Sequence, residues 1–183
     1  AVARQLLDAA EAEFAGLGEN GLTALVHLRR GQLALHAGDA ARALSHADEA
    51  AGRFDAESQA QLQAETLLLK ADALLGLNRL RDVGHMLART LNIARTCASP
   101  ALLYSAQLSL GRLAEREDRP SRALRCYAAA EAVLVRLQRN LTVTLRPAFL
   151  AGKLDAQRAR FRLLLQKGDV ASAFDAVERT RAQ

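Results

Sequence analysis

The chain is 183 residues long, half of them apolar and a quarter charged, with a net charge of +5, three Pro, two Cys and no Trp. That length suits one compact domain or one repeat array. Ala and Leu dominate and, with Arg, Gln and Glu, are strong helix formers, while β-branched residues are sparse, which favours an all-α chain; no apolar run approaches the ~18 residues of a bilayer span.

In chain order, helices are expected over 1–15, 22–37, 40–54, 57–76, 79–97, 100–117, 120–140, 149–167 and 170–182. The first carries Asp8, Glu11 and Glu13 and reads as an amphipathic helix, not a signal peptide. A Gly-rich loop over 16–21 follows it. Ala37-Gly38-Asp39 supplies a helix stop and an N-cap, and Gly76-Leu77-Asn78 does similar work. Ser99-Pro100 and Asp118-Arg119-Pro120 each place a Pro at a helix start. The short connections make neighbouring helices antiparallel.

The segments 25–54, 65–94 and 105–134 align without gaps at a 40-residue spacing. Gly31, Ala71 and Gly111 correspond, as do Ala43, Val83 and Ala123. Ala47, Leu87 and Tyr127 form a third set, and Ala50, Thr90 and Ala130 a fourth. One period earlier, Ala3, Leu7 and Ala10 occupy the same places. Close helix crossings need small side chains at an axial separation of about 8–10 Å. Gly31, Ala43, Ala50, Ala71, Gly111, Ala123 and Ala130 are therefore expected to pack the repeats. A Gly inside a helix costs ~1 kcal/mol, so Gly31 and Gly111 serve that packing. Leu28, Leu35, Leu44 and Phe54 fill around it. The expected organisation is a single domain over 1–183. It runs from the second helix of a truncated repeat (1–15) through repeats at 22–54, 57–97 and 100–140 to an irregular final pair at 149–182.

This small-residue pattern, with Gly-Asp at the turn, resembles the tetratricopeptide repeat (TPR) over almost the whole chain. The resemblance implies an α-α superhelix of TPR-like hairpins whose first helices line a concave, partner-binding groove. By register that face displays Gln32, Asp72 and Arg112, with His36 and Arg116 one turn on. The C-terminal stretch is similar to the last repeat before a CHAT domain, the caspase-like peptidase attached to such arrays in bacteria. The residues that carry this are Leu145-Arg146-Pro147-Ala148-Phe149-Leu150, then Lys153, Arg158 and Phe161. Leu164-Leu165-Gln166-Lys167-Gly168-Asp169-Val170-Ala171-Ser172-Ala173-Phe174 and Val177-Glu178-Arg179-Thr180-Arg181 follow. Gly168 lies 50 residues after Asp118, ten beyond the register. The resemblance implies a peptidase C-terminal to Gln183. The rival reading is the effector-sensing TPR-like part of a large bacterial transcription regulator.

Catalysis, cofactors and metal are not expected. His46-x-x-Glu49 is a helical i, i+3 pair and half a metal site, but no second pair has comparable spacing. His27 and His36 fall on different faces of one helix, and His85 has no partner in sequence. Cys97 and Cys126 have no local base or helix N-terminus to activate them and read as partly buried small apolar residues in a reducing cytoplasm. Gly16-Leu17-Gly18 lacks the Lys-Ser/Thr of a phosphate loop.

From position 101 onward there are 15 basic against 8 acidic residues, and before it 10 against 12. Arg112, Arg116, Arg119 and Arg122 form a basic strip. Interspersed acids and the lack of aromatic stacking partners make a solvated surface the better reading and disfavour nucleic acid. The expected partner is a protein or peptide, with no membrane. Apolar residues on the terminal helices (Val2, Leu6, Leu7 and Phe14; Ala173, Phe174 and Val177) are expected to be covered by adjoining domains or by a second copy of the chain.

Overall fold

A computed structural model of the chain describes residues 2–16, 20–54, 59–140 and 154–181. Among these residues there are nine helices and no strand. They are α1 (Val2–Gly16), α2 (Asn20–His36), α3 (Ala40–Ala50), α4 (Ala60–Gly76), α5 (Val83–Thr96), α6 (Pro100–Arg116), α7 (Pro120–Asn140), α8 (Asp155–Gln166) and α9 (Val170–Arg181). Of the loop expected over 16–21, Gly16 closes α1 and Asn20 and Gly21 open α2, while 17–19 lie outside the described residues, as do 57–58 of the fourth helix and the connection at 141–153. That connection holds 145–150, Lys153 and the start expected at 149. The chain divides into two compact units, Ala1–Leu102 and Leu103–Gln183.

Five helices end in one way. Gly38, Asn78, Ala98, Asp118 and Gly168 take positive φ of 81°, 56°, 47°, 55° and 74°. The next residue's N–H reaches back to a carbonyl five residues earlier: Asp39 to Ala34, Arg79 to Leu74, Ser99 to Ala94, Arg119 to Ala114 and Asp169 to Leu164. This left-handed cap satisfies carbonyls that the helix end leaves unpaired. Asp39 then caps α3, its carboxylate accepting from the Arg42 N–H at 3.0 Å, and Asp169 caps α9 by accepting from Ser172 N–H at 3.1 Å. Pro100 and Pro120 open α6 and α7, where a missing N–H costs nothing.

α2 starts at Asn20 where 22 is expected, and α4 and α8 start at Ala60 and Asp155 where 57 and 149 are expected; two further boundaries depart for a visible reason. The third helix stops at Ala50 instead of 54, because the chain turns at Gly52, at φ 80°, and folds Phe54 back into the core. The fifth helix begins at Val83 instead of 79. Asp82 adopts φ 63°, and a second tight turn replaces the first helical one.

In the first unit each helix packs on its chain neighbour, and α2 also meets α4. Ala24, Leu28, Ala43, Ala47, Ala50, Phe54, Leu69 and Ala73 form its core, with Leu35 and Leu44 partly buried against it. Two small residues permit close approach. A Cβ on Gly31 would stand 3.2 Å from His46 Cβ and 3.3 Å from the Ala43 carbonyl oxygen, and one on Gly76 2.8 Å from Ala40 Cβ. α1 is tied to α2 by ions: Arg30 pairs with Asp8 and Glu11, both at 2.5 Å. In the second unit Tyr104, Leu108, Ala114, Ala123, Tyr127, Ala130, Leu134, Ala156 and Leu163 form the core.

Gly31, Ala71 and Gly111 are all buried. Ala43, Val83 and Ala123 have no exposed surface, nor do Ala47, Leu87 and Tyr127, nor Ala50, Thr90 and Ala130. On α9, Ala173 is buried while Phe174 is 64% exposed; on α1, Leu6 is 66% exposed and Phe14 only partly so.

Candidate functional site

The second unit carries an open cleft of about 360 Å³. Leu108, Arg112 and Glu115 enter it from α6, Tyr127 from α7, and Asp155, Arg158, Ala159 and Arg162 from α8. The spacings of four and three on α6, and of three, one and three on α8, set each group on a single helical face. Tyr127, with no exposed surface, fits only because α6 has no side chain at Gly111. A Cβ there would lie 2.6 Å from Tyr127 Cδ1 and 2.7 Å from Cζ.

Glu115 joins the three helices. One of its oxygens accepts from the Tyr127 hydroxyl and the other from Arg162 Nη2. At the rim Arg112 Nη2 stands 3.5 Å from Asp155 Oδ2, with both side chains about half exposed (48%). Arg158 adds a third guanidinium from an exposed position on α8. The cleft thus sets three cations against two carboxylates. Arg160 turns away from it to Glu131 on α7. Burial, then the hydrogen bond to Glu115 and that carboxylate's charge, push the Tyr127 phenol far above its usual pKa. Burial also raises the Tyr104 phenol.

Of the five residues assigned by register to a concave face, Arg112 enters this cleft. Arg116 is exposed on α6 and already engaged. The other three belong to the first unit. Gln32 accepts from Arg29 Nη1 at 2.9 Å, and the same guanidinium reaches Glu65 at 3.1 Å. The His36 ring bonds the Gln32 carbonyl of its own helix at 2.8 Å. Asp72 on α4 is partly buried and engaged. The basic strip is partly offset locally, since Arg119 and Arg122 share Glu117, at 3.3 and 3.6 Å. Sequence reasoning missed Glu115, Tyr127, Asp155 and Arg162 as a group. The available signal was the shared helical spacing of Asp155, Arg158 and Arg162 opposite Arg112 and Glu115.

The cysteines are both free. Cys126 is partly buried, and burial raises its thiol pKa. Cys97 is not buried as expected: it caps the end of α5 and is exposed. Among the described residues no three His, Cys, Asp or Glu side chains gather as a metal cage, and no helix is long and apolar enough to cross a membrane. Comparison with protein-family models, curated proteins and solved structures finds no match to this chain.

Proposed function

We propose that this chain is a non-catalytic scaffold or sensor, an α-α superhelix of TPR-like hairpins that recognises a protein or peptide in the cytoplasm. The observation that carries the reading is the cleft. Ions from two helices surround an open concavity floored by an immobilised Tyr127, an arrangement suited to complementary charged side chains of a partner. The repeat register is supported by the buried quartets at 31, 43, 47 and 50 and at their positions 40 and 80 residues on, and by the like caps at Gly38, Asn78 and Asp118. The free thiols agree with a reducing compartment. In the parent protein this array would be the regulatory region of a CHAT-type peptidase. That part of the proposal rests on the C-terminal sequence resemblance.

Selection from a random peptide display library tests the reading. Enriched peptides should lose roughly tenfold in affinity, or ~1.4 kcal/mol, on Arg158→Glu. They should lose little on Arg125→Glu, which changes an exposed residue outside the cleft lining. Peptides that bind both variants alike, or a library that never enriches, would refute the cleft as the recognition site.

A further inference from the structure

Two histidines outside the cleft meet ring to ring in the first unit. His27 lies on α2 and His46 on α3, with Nδ1 atoms 3.5 Å apart and ring centroids 5.7 Å apart. The helix crossing builds this contact. Gly31 stands one turn beyond His27 on the same face, and its missing Cβ lets α3 bring His46 close. His27 turns its other nitrogen to α1, where Nε2 lies 3.3 Å from Glu11 Oε1. A carboxylate at that nitrogen holds the proton on Nε2 and leaves the Nδ1 lone pair directed at His46. His46-x-x-Glu49 is half a metal site in sequence, and the fold supplies the second histidine from another helix.

We propose that His27 Nδ1 and His46 Nδ1 form a two-nitrogen site for a divalent transition cation of the zinc type, completed by water. A cation 2.0–2.1 Å from each nitrogen would subtend roughly 113–122° across the observed gap, near the tetrahedral preference. Neutral imidazole is a favoured ligand of such ions, and a carboxylate on the far nitrogen is the usual support of a metal-bound histidine. Glu11 and Glu49 face the pair beside Arg30, which is held by Glu11 and Asp8, and Arg53 pairs with Glu49 at 3.3 Å. In the tautomer of His27 that Glu11 favours, His46 Nδ1–H donates to His27 Nδ1 when no cation is bound. On loading, the His46 proton moves to Nε2 through solvent, and both Nδ1 lone pairs face the ion. The site lies in the unit without the cleft and does not depend on peptide recognition.

The test is calorimetric titration of the metal-stripped chain with zinc sulfate alone, together with long-range ¹H–¹⁵N spectra of the histidine rings. One cation per chain should bind at micromolar concentration. Both Nδ1 resonances should shift, and His46 should change from the Nδ1–H to the Nε2–H tautomer. His27→Gln and His46→Gln should each weaken binding at least about tenfold, the loss seen when even a supporting residue is removed. His36→Gln and His85→Gln should leave it unchanged. Nδ1 resonances unmoved by zinc, affinity no tighter than millimolar, or equal loss in the His36 variant would overturn the proposal. The spectra are read on the wild-type chain, so a variant that fails to fold does not obscure the answer.

Discussion

Replacing Gly111 with Leu sets two opposing effects against each other. Leu favours helix over Gly by roughly 0.8–1 kcal/mol, a gain realised in full only at an open position. Gly111 is not open. A Cβ there would lie 2.6 and 2.7 Å from two Tyr127 ring atoms, against an ordinary carbon contact of about 3.5–4.0 Å. The ring has nowhere to go, because it has no exposed surface and its hydroxyl is fixed to Glu115. Overpacking of this kind costs typically ~1–3 kcal/mol, and Leu belongs near the upper end. The net effect of Gly111→Leu is a loss of roughly 1–2 kcal/mol, which lowers the melting temperature by about 2–8 °C in a chain of this size. Thermal melts followed by circular dichroism read it directly. Tyr127→Leu removes the ring, so the double variant should be more stable than the sum of the two losses predicts. A raised melting temperature for Gly111→Leu, or strict additivity in the cycle, would refute the close crossing.

Asp39→Ala should cost about 1 kcal/mol by denaturant unfolding through loss of the α3 cap, and an unchanged midpoint would remove that role. The Ser172 hydroxyl and N–H hold the Asp169 carboxyl below its usual range, so its stabilisation is complete above the ordinary carboxylate pKa and fades as pH falls through the lowered folded value. Asp169→Asn should therefore be less stable than wild type at neutral pH and converge with it in strong acid; parallel stability curves would contradict this. Both tyrosines of the chain have raised phenol pKa values, so stability is complete below the free phenol value and falls as pH rises beyond it. Absorbance at 295 nm should rise at higher pH than for a free phenol, and a two-tyrosine step at the free phenol value in the folded chain would show that neither ring is buried. Ellman's reagent should modify exposed Cys97 promptly and Cys126 slowly, and equal rates would deny the burial of Cys126.

The helical fold was legible because its signals are local. Gly38-Asp39 and the prolines at 100 and 120 mark boundaries through backbone chemistry that needs no tertiary contact. The third and fifth helices were misjudged at one end each for the opposite reason. Phe54 leaves the helix for a core built from distant residues, and Asp82 takes a left-handed backbone that Asp only sometimes adopts. Register assigned Arg112 to a concave face of first helices and not to this cleft, whose Glu115 lies 12 and 47 residues from Tyr127 and Arg162 and meets them only in three dimensions. His27 and His46, 19 residues apart on crossing helices, were invisible as a pair on the same grounds.

Neighbour-to-neighbour packing of α1 to α5 also bears on how the chain is made. Contacts between adjacent helices close small loops, and helical assemblies of this kind fold in microseconds to milliseconds. A ribosome adding ~5–20 residues per second spends roughly 3–12 s between Leu102 and Leu163, a core residue of the second unit. The first unit therefore has time to leave the ribosome and fold before the second has all of its core residues. Each unit then buries its own core in turn, which limits the unpaired apolar surface present at any moment of synthesis.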